Sequence, residues 1–131
     1  MKLLYHSPSL SISYDPDHEW LYVEWKGTHD AVSARTGGEL VLQYLQRYPC
    51  VKMLNDNSQV TSSWDKGARW VGDYYYTALA EGGMRYVAWV CPPHWSARKS
   101  MDTAMQFVTR PMVLLFDDLA SAYAWLVRQA Y

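Results

Sequence analysis

Apolar and polar positions follow two rhythms along this chain. Leu10, Ile12 and Tyr14 alternate with Ser9, Ser11 and Ser13, the period of a strand with one covered face. Asp15-Pro16-Asp17-His18 predicts a turn, because proline fixes φ and the aspartates bond to nearby backbone. Trp20 to Trp25, WLYVEW, returns as the second strand of an antiparallel hairpin. Its two faces, Leu21/Val23/Trp25 and Trp20/Tyr22/Glu24, are both rich in apolar groups, so both are expected to be at least partly covered. Leu3-Leu4-Tyr5 is a short first strand or a lead-in.

From Asp30 the spacing changes to threes and fours. Val32, Leu40, Val41, Tyr44, Leu45 and Tyr48 predict a helix that Pro49 ends. Gly37-Gly38 inside it costs about 1 kcal/mol per glycine relative to alanine, which implies close packing against a neighbour. The stretch Cys50 to Gly83 organises the rest. It reads as a strand over Val51 to Leu54, a polar loop beginning at Asn55, and a helix opened by a capping box at Ser62 and Asp65. Trp64, Ala68, Val71, Tyr75, Ala78 and Leu79 mark that helix's apolar side, and Gly82-Gly83 its stop. A strand over Arg85 to Cys91 and a helix over Ser96 to Val108 follow. Met112 to Phe116 is unbroken apolar sequence, which suits a strand covered on both faces. Asp118 is placed to cap a last helix. The order β(β)β-α-β-α-β-α-β-α predicts an α/β fold bordering on α+β. It is a mixed sheet, an N-terminal antiparallel hairpin followed by βα units, with helices packed on the sheet. No linker or repeat interrupts the chain, so one domain over residues 1–131 is expected.

Charge and composition narrow the classes. A net charge of -1 with scattered Lys and Arg argues against a nucleic-acid binder and against a polybasic membrane contact. Cys50 and Cys91 form no CxxC pair and are expected as reduced, packed thiols. The opening MKLLYHSPSL is too short in apolar residues for a signal peptide, and no run approaches the ~20 residues of a membrane span, so a cytoplasmic protein is expected. The four histidines lack metal-ligand spacing, and no GxSxG, glycine-rich phosphate loop or HExxH occurs. No catalytic residue, metal or cofactor is therefore expected.

Three groups of residues remain as candidates. Asp56, Asn57, Ser58 and Trp64 would form a binding loop between a strand's carboxyl end and a helix's amino end, where open α/β sheets bind ligands. Asp56, Asp117 and Asp118 all follow strands and could gather at one edge, although turn formation and capping also account for them. Aromatics are the third group, 15% of the chain. Tyr74-Tyr75-Tyr76 fan around a helix too widely for one apolar stripe to hold all three. Either two pack inside and one is exposed, or Trp70 and Tyr74 anchor a homodimer or a partner protein.

The segments MLNDNSQVTSSW, AWV and VLLFDDLASAYAWL resemble bacterial proteins of the STAS and SEC14-like superfamily, also called SpoIIAA-like, from about Trp20 onward. The resemblance implies a non-enzymatic regulatory or interaction module. Asp56, Ser58 and Val60 match the family's Asp-x-Ser-x-Val opening. Ser62-Ser63 resembles the serines phosphorylated in anti-sigma-factor antagonists, so both are candidate phosphoacceptors. Thr61 and Trp64 stand where that motif carries Asp and Gly. The SEC14 kinship implies an alternative, a small-molecule or lipid binding module with an aromatic pocket near the strands' carboxyl edge.

Overall fold

The computed structural model describes residues 1–131, and its centre is the longest strand, β4 (Lys52–Val60). One six-stranded sheet holds β1 (Lys2–His6), β2 (Leu10–Asp15), β3 (Trp20–Gly27), β4, β5 (Tyr86–Val90) and β6 (Met112–Phe116), side by side in chain order. The first three strands are antiparallel, and β3 through β6 are parallel. Each parallel neighbour is reached through a helical crossover: α1 (Ala31–Arg47), then a rod made of α2 (Asp65–Arg69), a π-helical turn (Trp70–Tyr75) and α3 (Tyr76–Glu81), then α4 (Trp95–Met105). Strand order advances in one direction, so crossovers of one hand stack all three helical units on one face. Beyond β6, α5 (Leu119–Val127) turns back under the opposite face, where it meets β4 and β5.

Alternation along the strands divides the interior in two. Leu21, Val23, Met53, Val87 and Trp89 point to the helical layer and join the larger core with Ala68, Tyr76, Leu79 and Met101. Trp20, Leu54, Ala88 and Val90 point the other way, onto Ala122 and Leu126 of α5. Asp30 caps α1 in a reciprocal box with Ser33, and Asp118 caps α5 by accepting from the Ser121 N–H. Gly37 and Gly38 have the close neighbours their cost implied. A Cβ would lie 2.5 Å from the Trp25 ring at Gly37 and 2.9 Å from the Trp70 ring at Gly38.

Several expectations require correction. Strand β4 does not stop at Leu54. It continues to Val60, so Asp56, Asn57 and Ser58 are strand residues and not a loop. Pairing with β3 and β5 on both sides satisfies the backbone of Asn55 and Asp56, and past it, at an irregularity in the β3 register, the Asp56 carboxylate takes the Ser58 N–H. The Ser62–Asp65 capping box does not form. Trp64 is the N-cap, and Ser100 of α4 supplies the hydroxyl that accepts from its N–H, at 2.9 Å. Helix α4 ends at Met105. The apolar strand β6 is not covered on both faces: it is the sheet's edge, with Met112, Leu114 and Leu115 exposed.

The π turn is the one irregularity in the helical layer. The Tyr76 N–H donates to the Val71 carbonyl five residues back, so Tyr76 stacks over Val71. Two adjacent tyrosines, Tyr75 and Tyr76, are thereby both buried, while Tyr74 stays exposed. Gly72 lets this turn touch α4: a Cβ there would lie 2.1 Å from the Ala104 carbonyl oxygen. Gly72→Ala gains about 1 kcal/mol of helix propensity but forces two backbones apart. Net destabilisation of ~2 kcal/mol is expected in urea denaturation, and unchanged stability would show that the layers are not in this contact.

Candidate functional site

The carboxyl ends of β3, β4 and β5 carry Trp25, Asn55, Asn57 and Trp89 toward the helical layer. Together with Val60, His29 and Ala34, and with Trp64, Val71, Tyr75 and Tyr76 from the α2–π–α3 rod and its lead-in, they enclose a pocket. The cavity is small, about 30 Å³, so the space is a narrow slot. Aromatic rings form its walls: Tyr76 stacks on Trp89 at 5.6 Å between centroids, and Trp64 lies nearly parallel to Trp89 at 6.4 Å.

Its polar groups fall into two sets. Asn55 is engaged at both amide atoms: its Oδ1 accepts from Trp25 Nε1 at 2.9 Å, and its Nδ2 donates to the Tyr76 hydroxyl at 3.3 Å. His29 is also engaged. The Ser9 carbonyl can only accept, so His29 Nε2 carries the hydrogen, leaving Nδ1 to accept from Ser33 Oγ. Burial holds the His29 pKa below the ordinary imidazole value, so the ring is neutral near pH 7. The second set has no protein partner: Asn57 Oδ1, the Tyr75 hydroxyl and Trp89 Nε1. Their residues are 5%, 3% and 1% exposed, so bulk water does not serve them. Burial raises the phenol pKa of both Tyr75 and Tyr76, which therefore keep their protons. The lining thus contains no charged group, one orphan acceptor, one orphan N–H donor, and a hydroxyl able to do either.

Strand alternation separates the residues of the expected loop. Asp56 points to the other face of the sheet, where its carboxylate accepts from the Tyr22 hydroxyl at 3.1 Å and the Ser58 N–H at 2.9 Å. Asn57 and Trp64 line the pocket. Ser58 is half-buried and Trp64 is buried. Ser62 bridges the chain before α1, its hydroxyl accepting from the His29 N–H and donating to the His29 carbonyl. Ser63 is exposed and lies 3.2 Å from Ser100 Oγ. Trp70 is half-buried and stacks on exposed Tyr74 at 5.4 Å. The aspartates do not gather: Asp117 pairs with Arg98 and Asp118 caps α5. No group of three His, Cys, Asp or Glu side chains stands close enough to hold a metal. Both cysteines are free thiols, and no helix is long and apolar enough to cross a membrane.

Sequence reasoning singled out Trp64, Asn57 and the tyrosines but missed Trp25, His29 and Val60. One signal was available. Trp25, Asn55 and Trp89 each fall on the alternate positions that their strands turn to the larger core, so a polar Asn55 there needed a buried partner.

A family model described as SpoIIAA-like matches residues 20–127. Among solved structures, the chain is similar to an uncharacterised protein of the DUF3478 family with a SpoIIAA-like fold, from Shewanella loihica PV-4. The two are 16% identical, the match covers 96% of this chain and 98% of that one, and the TM-score is 0.54. At that identity the likeness is one of fold. No curated protein matches the sequence.

The neutral His29 gives the site a pH signature. Its folded pKa lies below the ordinary 6.5, so the unfolded chain takes up the proton first as pH falls. That contribution to stability is full above the unfolded pKa and is lost as pH drops below it. Urea denaturation is expected to show lower stability at about pH 5.5 than at pH 7.5, and a weaker dependence in His29→Gln. Equal slopes in the two proteins would show that His29 is not buried neutral.

Proposed function

This chain belongs to the SpoIIAA-like family, and from that membership we propose that it is a single-domain, non-catalytic STAS-type module that binds a small uncharged ligand in the aromatic slot. The observation that carries this reading is the set of three orphan polar atoms, Asn57 Oδ1, Tyr75 Oη and Trp89 Nε1, in residues that line one apolar pocket. A buried polar atom without a partner costs about 1–3 kcal/mol. Three around one slot amount to a standing destabilisation that a complementary ligand would offset.

The lining also selects the ligand's chemistry. Nothing in the slot neutralises a charge, so carboxylates and ammonium groups would be desolvated without compensation. Stacked rings favour a flat molecule. A carbonyl on it would accept from Trp89 Nε1, and an N–H or O–H would donate to Asn57 Oδ1. A small lactam or phenol-like ring has that combination.

A second reading is favoured by a specific feature, the exposed Tyr74 stacked on Trp70 on the outside of the same π turn. The rod that walls the slot also presents these rings outward. A protein partner on that surface would sense occupancy through Tyr75, which stacks on Trp70 at 5.9 Å. This gives the regulatory role general to STAS domains a physical route.

The test uses 2-pyridone as the neutral lactam, with benzoate and benzylammonium as charged controls. Only the lactam is expected to raise the melting temperature, and Asn57→Ala and Trp89→Phe are each expected to weaken its binding about tenfold. No shift with 2-pyridone, together with protein that carries no bound molecule in native mass spectrometry, would sink the reading. A separate expectation concerns the free protein. Tyr75→Phe removes an unpartnered hydroxyl and should raise stability by ~1 kcal/mol in urea denaturation; a loss of that size would show that the hydroxyl has a protein partner.

A further inference from the structure

Strand β6 is an edge that lacks the usual protection. Edge strands are normally blunted by charge, proline, a bulge or a covering element. Here the five residues Met112–Phe116 are all apolar and pair with β5 in unbroken register. Met112, Leu114 and Leu115 are 54%, 37% and 42% exposed.

The backbone of this edge is self-complementary. The Met112 N–H donates to the Arg85 carbonyl, and the Phe116 carbonyl accepts from the Cys91 N–H, so the even-numbered residues use their backbone groups on β5. The odd-numbered residues, Val113 and Leu115, turn theirs outward. An antiparallel partner strand of the same sequence, centred on Leu114, sets Val113 of one copy opposite Leu115 of the other. Those two residues exchange both N–H to carbonyl bonds, and the two-fold repeats the exchange on the other side of Leu114. Met112 then faces Phe116 of the second copy, and Leu114 faces itself in a close, non-hydrogen-bonded pair.

Charge selects the same direction. Exposed Arg110 precedes the strand, and exposed Asp117 and Asp118 follow it, the first paired with Arg98 and the second capping α5, which leaves that end net anionic. Antiparallel pairing brings the cationic end of each copy beside the anionic end of the other, whereas parallel pairing would set like beside like. We propose that β6 is a homodimer edge at which two copies of this chain pair antiparallel about Leu114, joining their sheets into one. This surface lies away from the Trp70–Tyr74 face that the sequence suggested. It is independent of the ligand reading, since none of its residues lines the slot.

Sedimentation velocity and symmetric cysteine cross-linking test it on the full chain. Wild type is expected to be dimeric at micromolar concentration. Leu114→Lys places like charges on the two-fold and should weaken dimerisation more than about tenfold, with the circular dichroism spectrum and melting profile of a folded monomer. Arg110→Glu should also weaken it. Under mild oxidation, Leu114→Cys should form an intermolecular disulfide mapped to residue 114, because close antiparallel pairs hold Cβ atoms within disulfide range. Leu115→Cys, which faces residue 113 of the second copy, should not. Four results would overturn the proposal: wild type that stays monomeric up to millimolar concentration, a dimer untouched by Leu114→Lys, cross-linking at 115 in preference to 114, or a dimer lost instead in Trp70→Ala or Tyr74→Ala.

Discussion

A strand sealed on both faces must find a partner for every polar side chain it carries, and β4 carries Asn55, Asp56 and Asn57 in succession. The structure answers them differently. Asn55 becomes a bridge, taking the Trp25 indole N–H from the neighbouring strand and giving an amide hydrogen to Tyr76 in the helical layer. Asp56, on the opposite face, is met by Tyr22 and by the Ser58 backbone. The Asn57 side-chain oxygen is met by nothing, and at the strand's start the buried Lys52 ammonium has no hydrogen-bond partner and lies 4.1 Å over the Tyr131 ring. A buried polar strand is costly unless it is satisfied, so the two satisfied positions hold the layers in register. The third lies on the slot.

The π turn belongs to the same constraint. A regular helix would bring one tyrosine of the pair to the sheet and rotate the next away. The wider turn lets Tyr76 reach Asn55 while Tyr75 closes the slot beside it. Gly72 makes the wider turn possible by letting it touch the α4 backbone. From α4, Ser100 reaches back to hold the Trp64 N–H at the start of the rod. The slot's helical wall is therefore set by contacts at its two sides, with Asn55 on the sheet and Ser100 and Ala104 on α4.

Electrostatics favour neutrality throughout this region. The phenols of Tyr75 and Tyr76 are held protonated and the His29 imidazole deprotonated, each by burial. Asp56 turns to the opposite face of the sheet, Asp30 and Asp118 cap helices, and Asp117 pairs with Arg98. The family is in general non-enzymatic.

What the sequence by itself determined was the succession of elements, because periods of two and of three to four are written into the side chains and need no distant partner. The hairpin, the three βα units, the Asp30 and Asp118 helix starts and the crowding at Gly37-Gly38 were all legible in this way. The tertiary structure alone decided where β4 ends, since the turn-forming preference of Asn55 and Asp56 yields only once strands lie on both sides. It also decided that the apolar β6 lies at an edge, because burial on two faces and exposure at a rim leave the same apolar run. The slot itself was beyond reach for the same reason. It joins Trp25, Asn57, Tyr75 and Trp89, residues far apart in the chain, and their meeting depends on strand order, a π turn and a serine on a fourth element.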